Sequence, residues 1–325
     1  MALIELSQVR DLTLVPLAGE SLGTRSMALA VREKDCQFIF DPGVALAPNR
    51  DDLPPHSIER ERRRAHRSRI QEVLKEKVVA GYWISHYHQD HFPLYNMAIG
   101  EWVPNLRNFP SSGPFYIKDP KENLNKNQTR RARKLLASFK KFKHEFYSAE
   151  NLRSPCGPFK LEGSPLLPHG EISKLGFVVG CTLSFRDTKL TFTGDILGGP
   201  LEVHKNWMIS SKPDILVMDG PTRDHLPAFR ENFSLVVDAL DNLKVIILEH
   251  HLLRSMNWVD LVQDQITYAT EKGIRMTNYA DLIGQKVELL EANRKNLYDF
   301  FPESSPAQTL PKKRRGKKAG TTKMY

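Results

Sequence analysis

The sequence predicts an α/β fold, because short apolar runs of strand length alternate with longer segments of helical pattern. Two of these runs, at 78–84 and 245–248, are continuously apolar, as expected of strands buried on both faces. Residues of metal-binding type follow several of the runs directly. A chain of 325 residues can bury a full core. We therefore predict one domain over 1–302, followed by a basic, disordered tail over 303–325.

The N-terminal part predicts three strands, a helix and a buried strand. The stretches 12–17, 27–32 and 37–40 are rich in β-branched or aromatic residues, and Asp41-Pro42-Gly43 supplies turn residues after the third. Ser57 can cap a helix over 58–77, whose sparse apolar positions predict a largely exposed surface. The apolar run 78–84 then predicts a strand inside the sheet.

The next segment, 99–162, predicts an insertion rather than regular scaffold. It holds six prolines, a short strand candidate at 114–118 and a basic helix over 123–142. Because binding functions concentrate on segments carried by a rigid scaffold, we predict that this insertion grips or covers a substrate.

The C-terminal part returns to an α/β pattern. A hairpin is predicted from 177–185 and 189–193, and buried strands are predicted at 214–218 and 245–248. Helices are predicted at 228–242, 257–272 and 279–298.

The net charge of +9 is concentrated in two places. Residues 311–325 hold 7 Lys or Arg and no acid, and residues 118–145 hold 10 basic against 3 acidic residues. Such strips attract phosphate-rich partners through counterion release, although a charged helix face is often merely solvated. Nucleic acid is therefore a candidate partner.

Compartment and redox state are predicted from the cysteines and the N-terminus. Cys36, Cys156 and Cys181 match neither a disulfide framework nor a Cys-x-x-Cys metal spacing, which predicts free thiols. Charges appear too early for a signal peptide, and no apolar stretch approaches the ~18 residues of a membrane span. We therefore expect a cytoplasmic protein. The sequence does not determine its oligomeric state, and a homodimer is one of the open alternatives.

Four potential metal ligands lie within six residues after the strand predicted at 78–84. The run is Ser85-His86-Tyr87-His88-Gln89-Asp90-His91. Imidazole nitrogen and carboxylate oxygen are ligands that Zn²⁺ and similar cations prefer. In extended backbone His86 and His88 point the same way, whereas Asp90 and His91 can turn toward a second cation. Two metals would need more ligands than this run holds.

Later strand ends offer those ligands. His169 lies in a Pro-His-Gly turn, and Asp195 follows the predicted strand 189–193. His250 and His251 follow the strand 245–248. Adjacent strand residues point to opposite faces, so we expect only one of these two to bind a metal, while the other supports the site or donates a proton.

In this order the motifs resemble those of the metallo-β-lactamase superfamily, with Asp41 matching the family's first motif. The resemblance covers about residues 27–254 and is closest to a little-characterised prokaryotic group of predicted metal-dependent hydrolases. The motif order is also similar to that of the tRNA-processing nuclease branch. The family resemblance implies a four-layer αββα sandwich with a two-metal site at one edge of the packed sheets.

Carried over motif by motif, the resemblance implies two divalent metal ions, Zn or alternatively Mn or Fe. His86, His88 and His169 would bind one metal. Asp90, His91 and His250 would bind the other, and Asp195 would bridge the two. Asp41 would orient the histidine loop from behind. We favour His250 over His251 because Arg254 follows it at plus four, as in the His-Phe-Ser-x-Arg run of the nuclease branch.

A hydroxide shared by two cations needs no nucleophilic side chain, which favours a hydrolase. A carboxylate at the bridging position resembles the branches that act on phosphodiesters and thioesters. The leading hypothesis is hydrolysis of a phosphodiester in RNA or DNA. The predicted catalytic residues are Asp90 and His251, and the predicted substrate contacts are Arg130, Arg131, Arg133, Lys134 and Arg254.

Two other functions stay open. The first is a small-molecule esterase, lactonase or thioesterase of the same fold, in which the insertion forms a lid over the pocket. The second is a nucleic-acid-binding protein with a structural metal site, which is weaker because seven ligands exceed what one four-coordinate structural site requires.

Overall fold

The computed structural model describes residues 8–93, 106–171 and 175–303. Over these residues, two seven-stranded sheets pack face to face, and helices cover the outer face of each sheet. This arrangement confirms the predicted αββα sandwich. The predicted basic tail falls almost wholly outside the described residues.

The first sheet has the strand order β1-β2-β3-β4-β5-β6-β7. Neighbours from β1 to β4 are antiparallel, and neighbours from β4 to β7 are parallel. The strands are β1 (Gln8–Val9), β2 (Leu12–Gly19), β3 (Met27–Glu33), β4 (Cys36–Phe40), β5 (Val78–Ile84), β6 (Phe115–Ile117) and β7 (Phe146–Ser148).

The second sheet repeats this plan in the order β16-β15-β14-β13-β12-β9-β8, with an antiparallel half from β8 to β13 and a parallel half from β13 to β16. A separate pair, β10 and β11, lies between β9 and β12 in sequence. The strands are β8 (Arg153–Cys156), β9 (Phe159–Gly163), β10 (Leu167–Pro168), β11 (Phe177–Val178), β12 (Cys181–Phe185), β13 (Thr188–Phe192), β14 (Ile215–Met218), β15 (Val245–Leu248) and β16 (Arg275–Thr277).

An apolar core joins the inner faces of the two sheets. Phe40 of β4 stacks on Phe192 of β13, with ring centroids 4.8 Å apart. Trp83 of β5 is fully buried in this core and donates its indole N–H to the carbonyl of Val179. Because both parallel halves contribute, the carboxyl ends of their strands can converge at one edge, the usual ligand position in such sheets.

Helices complete the outer layers. Ile70, Val73 and Leu74 of α1 and Leu135 and Phe139 of α2 pack on the first sheet. Helices α3, α4 and α6 pack on the second sheet. The helices are α1 (Ser57–Glu76), α2 (Lys126–Phe142), α3 (Glu202–Ser211), α4 (Leu226–Asp238), α5 (Trp258–Leu261), α6 (Gln263–Glu271), α7 (Tyr279–Leu282) and α8 (Arg294–Phe300).

Several elements differ from the sequence predictions. The residue that caps α1 is His56 rather than Ser57: its Nδ1 accepts from the backbone N–H of Ile58, and Glu59 accepts from the backbone N–H of His56. The strand predicted at 177–185 is divided into β11 and β12, and at Gly180, between them, the ring of Trp207 packs where a Cβ atom would not fit.

The helix predicted at 279–298 is two short helices, α7 and α8, and the one predicted at 257–272 is divided between α5 and α6. Gly284, with φ +65°, follows the end of α7 in a backbone conformation that favours glycine. Helix α3 and strands β7, β8, β9 and β16 were not predicted from the sequence.

The segment predicted as an insertion is part of both sheets over its described residues. It supplies β6 and β7 to the first sheet and β8 and β9 to the second. Its basic helix, α2, covers the outer face of the first sheet. Residues 99–105 lie outside the described part.

The described residues include no helix that is both long and apolar enough to cross a lipid bilayer. Cys36, Cys156 and Cys181 are free cysteines, as predicted.

Candidate metal centre

The structure brings all seven predicted metal ligands together at the carboxyl ends of the parallel strands. The loop 85–91 follows β5, Asp195 follows β13, and His250 follows β15. His169 comes directly after β10. Each sheet therefore supplies part of the site, as expected when strands deliver side chains to one edge.

The ligand atoms fall into the two predicted groups. Atoms of His86, His88, His169 and Asp195 all lie within 4.8 Å of one another. A second group, with the same spacing, consists of Asp90, His91 and His250.

Asp195 lies between the two groups. Its Oδ2 is 3.4 Å from Nε2 of His169 and 3.5 Å from Nε2 of His250, and its Oδ1 is 3.2 Å from Nε2 of His91. A carboxylate at this position can offer one oxygen to each group, which is the geometry that a bridging ligand requires.

Unpaired ligand atoms show that the residues fit a metal. Nε2 of His91, both ring nitrogens of His169 and Oδ1 of Asp195 are buried and have no hydrogen-bond partner among the described residues. Buried polar atoms are normally paired, because leaving one unpaired costs about 1–3 kcal/mol. Imidazole nitrogens and carboxylate oxygens that face one another unpaired are a donor set suited to borderline divalent cations.

The electrostatics of the cluster are those of ionised carboxylates among histidines. Burial opposes the ionisation of Asp195, but the charges of His91 and His250 outweigh it and hold the pKa of Asp195 well below its usual value. Burial also lowers the pKa of His86 well below its usual value, and the neighbouring histidines add to this shift. At His86 the neutral imidazole is the protonation state that metal binding requires, whereas the carboxylates raise the pKa of His91 and His250 in spite of their burial, so that these two rings would give up a proton to a metal.

Asp41 supports the histidine loop from behind. Its Oδ2 lies 2.7 Å from Nδ1 of His91, and its Oδ1 accepts the backbone N–H of Ser85 at 2.8 Å. Asp41 is fully buried and has φ +38°, so the end of β4 turns sharply to place this carboxylate. With Nδ1–H donated to Asp41, the Nε2 lone pair of His91 faces the cluster.

Glu20 supports His250 in the same way, although sequence reasoning did not identify it. Its Oε2 lies 2.7 Å from Nδ1 of His250, and its Oε1 accepts Nε of Arg254 at 2.8 Å. Glu249 holds the Glu20 turn in place by accepting the backbone N–H and the hydroxyl of Ser21 at 2.7 and 2.8 Å. The position of Glu20 directly after β2 was the only available sequence signal.

Asp219 supports His251. It follows β14 directly, and its Oδ2 lies 2.9 Å from Nδ1 of His251. Asp219 is fully buried and also accepts the backbone N–H groups of Leu197 and Gly198. Burial, reinforced by the charge of Asp195, raises the pKa of Asp219 well above its usual value.

Which of the two adjacent histidines binds a metal stays a prediction, but the premise that their side chains point to opposite faces is wrong. It assumed extended backbone, but His250 has φ +67° and opens a 3-10 turn over His250–Arg254. Both imidazoles therefore point inward: Nε2 of His251 is 3.9 Å from Oδ2 of Asp195, and atoms of Asp195, His250 and His251 form a third compact group.

Two of the five predicted substrate contacts lie beside the cluster. Nη2 of Arg254 is 2.9 Å from Nε2 of His250 and 3.7 Å from Oδ2 of Asp90. Arg131 of α2 is half-buried and donates to the backbone carbonyl of Tyr87 in the histidine loop. The other three, Arg130, Arg133 and Lys134, are exposed on α2.

The fold and the His/Asp centre together define a protein of the metallo-β-lactamase fold. Among solved structures, yeast PDE1 is similar over 82% of this chain and 97% of that chain, with a TM-score of 0.50 and 11% identity. Likeness at this level concerns the fold alone.

No family model matches the chain. The chain is 33% identical to a UPF0282 protein of Sulfurisphaera tokodaii over 304 residues, which cover 90% of this chain and 94% of that protein. It is 32% identical to a UPF0282 protein of Korarchaeum cryptofilum over 301 residues, which cover 89% of this chain and 95% of that protein. The chain belongs to the UPF0282 family, and this assignment confirms the predicted resemblance to a little-characterised prokaryotic group.

Proposed function

We propose that this protein is a binuclear metal-dependent hydrolase that acts on phosphodiesters of nucleic acid. The observation that carries the proposal is the pair of ligand groups with Asp195 between them, together with buried ligand atoms that have no hydrogen-bond partner in the described part of the chain. One structural metal would need only four ligands, whereas this cluster offers seven and a further imidazole, that of His251.

The predicted ligand assignment agrees with the grouping. His86, His88 and His169 would hold one metal ion, and Asp90, His91 and His250 the other, with Asp195 shared. The donor set suits Zn²⁺, Mn²⁺ or Fe²⁺. Two such ions supply Lewis acidity and a hydroxide nucleophile at neutral pH.

The chain's own residues orient this chemistry. Asp41 and Glu20 accept the Nδ1–H protons of His91 and His250, which directs the Nε2 lone pairs of both rings into the site. Asp90 is half-buried at the outer side of the cluster, where its carboxylate can both bind a metal and align an attacking water.

His251 is placed to protonate the leaving group. Its Nδ1 faces Asp219, and its Nε2 faces the cluster. Burial lowers the pKa of His251 well below its usual value, so an imidazolium that donates its Nε2–H to the leaving oxygen depends on the charge of Asp219.

Arginines beside the site favour a phosphodiester over a neutral ester. Arg254 is held by Glu20 with its guanidinium between His250 and Asp90, and 18% of its side chain is exposed. Arg131 approaches the same loop from α2. A guanidinium presents a planar fork of donors that suits phosphate oxygens.

The test is turnover of a chromogenic phosphodiester and of labelled RNA and DNA by protein supplied with Zn²⁺ or Mn²⁺. We expect turnover to fall at least ~100-fold in His88→Gln, because one ligand of the first group is lost. His66→Gln is the matched control, since His66 lies on α1 away from the cluster and bonds to Thr24.

Lactone, thioester and carboxylic ester substrates are assayed in parallel. Turnover of these compounds without nucleic-acid cleavage would show that the substrate is a small-molecule ester, lactone or thioester and not a phosphodiester. Metal-dependent nucleic-acid binding without any turnover would favour the binding protein instead.

A further inference from the structure

Helix α2 presents an unusual charged face. Its 17 residues contain seven Lys or Arg and no Asp or Glu. Six of the seven are exposed and recur at helical spacing, so that they form one stripe along the outer side. The stripe consists of Lys126, Arg130, Arg133, Lys134, Lys140 and Lys141.

The stripe has no internal charge compensation. Within the described part of the chain, none of its six cations forms an ion pair with a carboxylate. In α1, by contrast, Arg69 pairs with Glu76, which also pairs with Arg32 of β3. Like charges at i and i+4, as in Lys126 with Arg130 and Arg130 with Lys134, destabilise a helix by a few tenths of a kcal/mol per pair. A solvated helix face normally mixes both signs, so this face is suited to a polyanion.

The N-terminal half of α2 is fixed to the metal centre. Arg131 donates to the carbonyl of Tyr87, which lies between the ligands His86 and His88. Asn125 and Gln128 donate to the carbonyl of Leu175, in the segment that follows His169. The stripe therefore begins beside both loops that carry ligands of the first group.

The C-terminal half of α2 leads to an exposed aromatic ring. Phe146 of the edge strand β7 is 41% exposed, and its ring stacks on Phe139 of α2 at a centroid distance of 5.5 Å. The adjacent Phe142 is half-buried, with Nζ of Lys141 5.3 Å from its ring centroid. The exposed ring of Phe146 thus packs on the C-terminal end of α2, the end that carries Lys140 and Lys141, and aromatic rings combined with cations bind single strands, whose bases are free to stack.

We propose that the stripe of α2 and the ring of Phe146 form a track for single-stranded nucleic acid that leads to the metal centre. From Arg130 to Lys141 the helix rises about 16 Å, so the stripe can contact several successive phosphates. The track would deliver a strand to the metal centre for cleavage, and this role rests on the proposed function. Beyond the C-terminal end of α2, the first acidic residue in the sequence is Glu145.

The test measures binding of fluorescent 20-nucleotide oligouridylate and oligothymidylate, and of a duplex, to the full-length protein at several salt concentrations, with strand integrity checked on gels. In the triple variant Arg133→Glu, Lys140→Glu and Lys141→Glu, we expect single-strand affinity to fall at least ~10-fold at low salt. The slope of log affinity against log salt should fall by about two, because three phosphate contacts are lost.

The matched control changes the same charge elsewhere, with Lys75→Glu, Lys286→Glu and Lys295→Glu, three exposed lysines outside the track. We expect its salt slope to equal that of the unaltered protein. Equal losses in both triple variants would reduce the effect to net charge and overturn the proposal.

Phe146→Leu tests the stacking contribution, because leucine keeps an apolar side chain against Phe139 but has no flat ring. Single-strand affinity should fall about fivefold or more, with duplex affinity unchanged. Tighter binding of the duplex than of the single strand, with no effect of Phe146→Leu, would contradict a single-strand track. The RNA and DNA probes identify which strand the track prefers.

Failure of the track and failure of the proposed function are distinguishable. The unaltered protein's turnover of a small chromogenic phosphodiester tests the centre without the track. If that turnover is absent but oligonucleotide binding depends on the stripe, the proposed phosphodiesterase activity is wrong and the proposed binding track is supported. If turnover is present but oligonucleotide binding ignores the stripe, the track is wrong.

Discussion

Nδ1 of His250 lies 2.7 Å from Oε2 of Glu20, although the two residues are 230 positions apart. The other oxygen of Glu20 accepts Nε of Arg254 at 2.8 Å. One buried carboxylate therefore fixes both an imidazole of the metal centre and the guanidinium beside it. Since a carboxylate only accepts, it selects the His250 tautomer whose Nε2 lone pair is available to a metal.

We expect Glu20→Gln to weaken metal binding about 10–100-fold, because the amide N–H₂ can face Nδ1 and select the wrong tautomer. The measurement is metal affinity by competition with a chelator. Glu61→Gln, at an exposed position of α1, is the control and should match the unaltered protein. Identical metal affinities for all three proteins would show that Glu20 only holds the fold.

Asp195→Ala should remove the shared carboxylate and lower the metal content from about two ions per chain. The expected cause is that His91, His169 and His250 all lose the carboxylate that lies within 3.5 Å of their Nε2 atoms. Elemental analysis of protein purified without chelator gives the ratio. Asp187→Ala, in the exposed hairpin turn before β13, should leave it unchanged. A ratio near zero in the unaltered protein would contradict the two-metal centre.

The sequence could predict the ligands that follow strands directly, because their spacing and chemistry are local. The loop 85–91 after β5 and Asp195 after β13 are of this kind. Parallel strands bring their carboxyl ends to one edge, so order along the chain was enough to group these residues.

The supporting residues could not be predicted, since their partners are distant in sequence. Glu20 lies in a short turn whose backbone is fixed by Glu249, and neither residue belongs to a recognisable motif. The directions of the two adjacent histidine side chains were predicted wrongly for a different reason: the positive φ of His250 cannot be inferred from side-chain chemistry. Likewise, the segment 106–162 contains short, proline-flanked strands that pair only through tertiary contacts.

The C-terminal helix α8 is anchored by a buried ion pair, which predicts a large stability effect. Arg294 and Glu59 of α1 are both fully buried, and Nε and Nη2 of Arg294 donate to the two carboxylate oxygens at 2.8 Å. Arg294→Met should cost about 3–5 kcal/mol of the free energy of unfolding, because it leaves the Glu59 charge unpaired. Urea denaturation measures this value.

The exposed pair Arg186–Asp11 provides the comparison for this measurement, with 59% and 40% of the side chains exposed. Arg186→Met should cost less than about 1 kcal/mol. Adding Glu59→Leu to Arg294→Met should restore part of the lost stability, since the unpaired charge is removed. A double variant as unstable as the sum of its single changes would argue against an electrostatic cause.

His66 of α1 should make the protein less stable in acid. Burial and the charge of Arg62 lower its pKa from 6.5 to about 3, and its Nδ1 lies 2.7 Å from the hydroxyl of Thr24. In the unfolded chain the pKa of His66 has its ordinary value. Below pH 6.5 the unfolded state therefore binds a proton at His66, whereas His66 of the folded state stays neutral. This stabilising contribution is fully present above pH 6.5 and is lost as the pH falls toward 3.

His66→Gln has no proton to take up at this position, so its unfolding free energy should fall less steeply with acid than that of the unaltered protein. Between pH 7 and pH 4.5 we expect the difference in unfolding free energy between the two proteins to change by about 1–2 kcal/mol in favour of the variant. This is less than the pKa change alone would give, because the side chain of His66 is only half-buried. Urea denaturation at three pH values in this window measures the gap. Parallel curves would mean that His66 titrates alike in both states, and that the acid sensitivity lies in other groups.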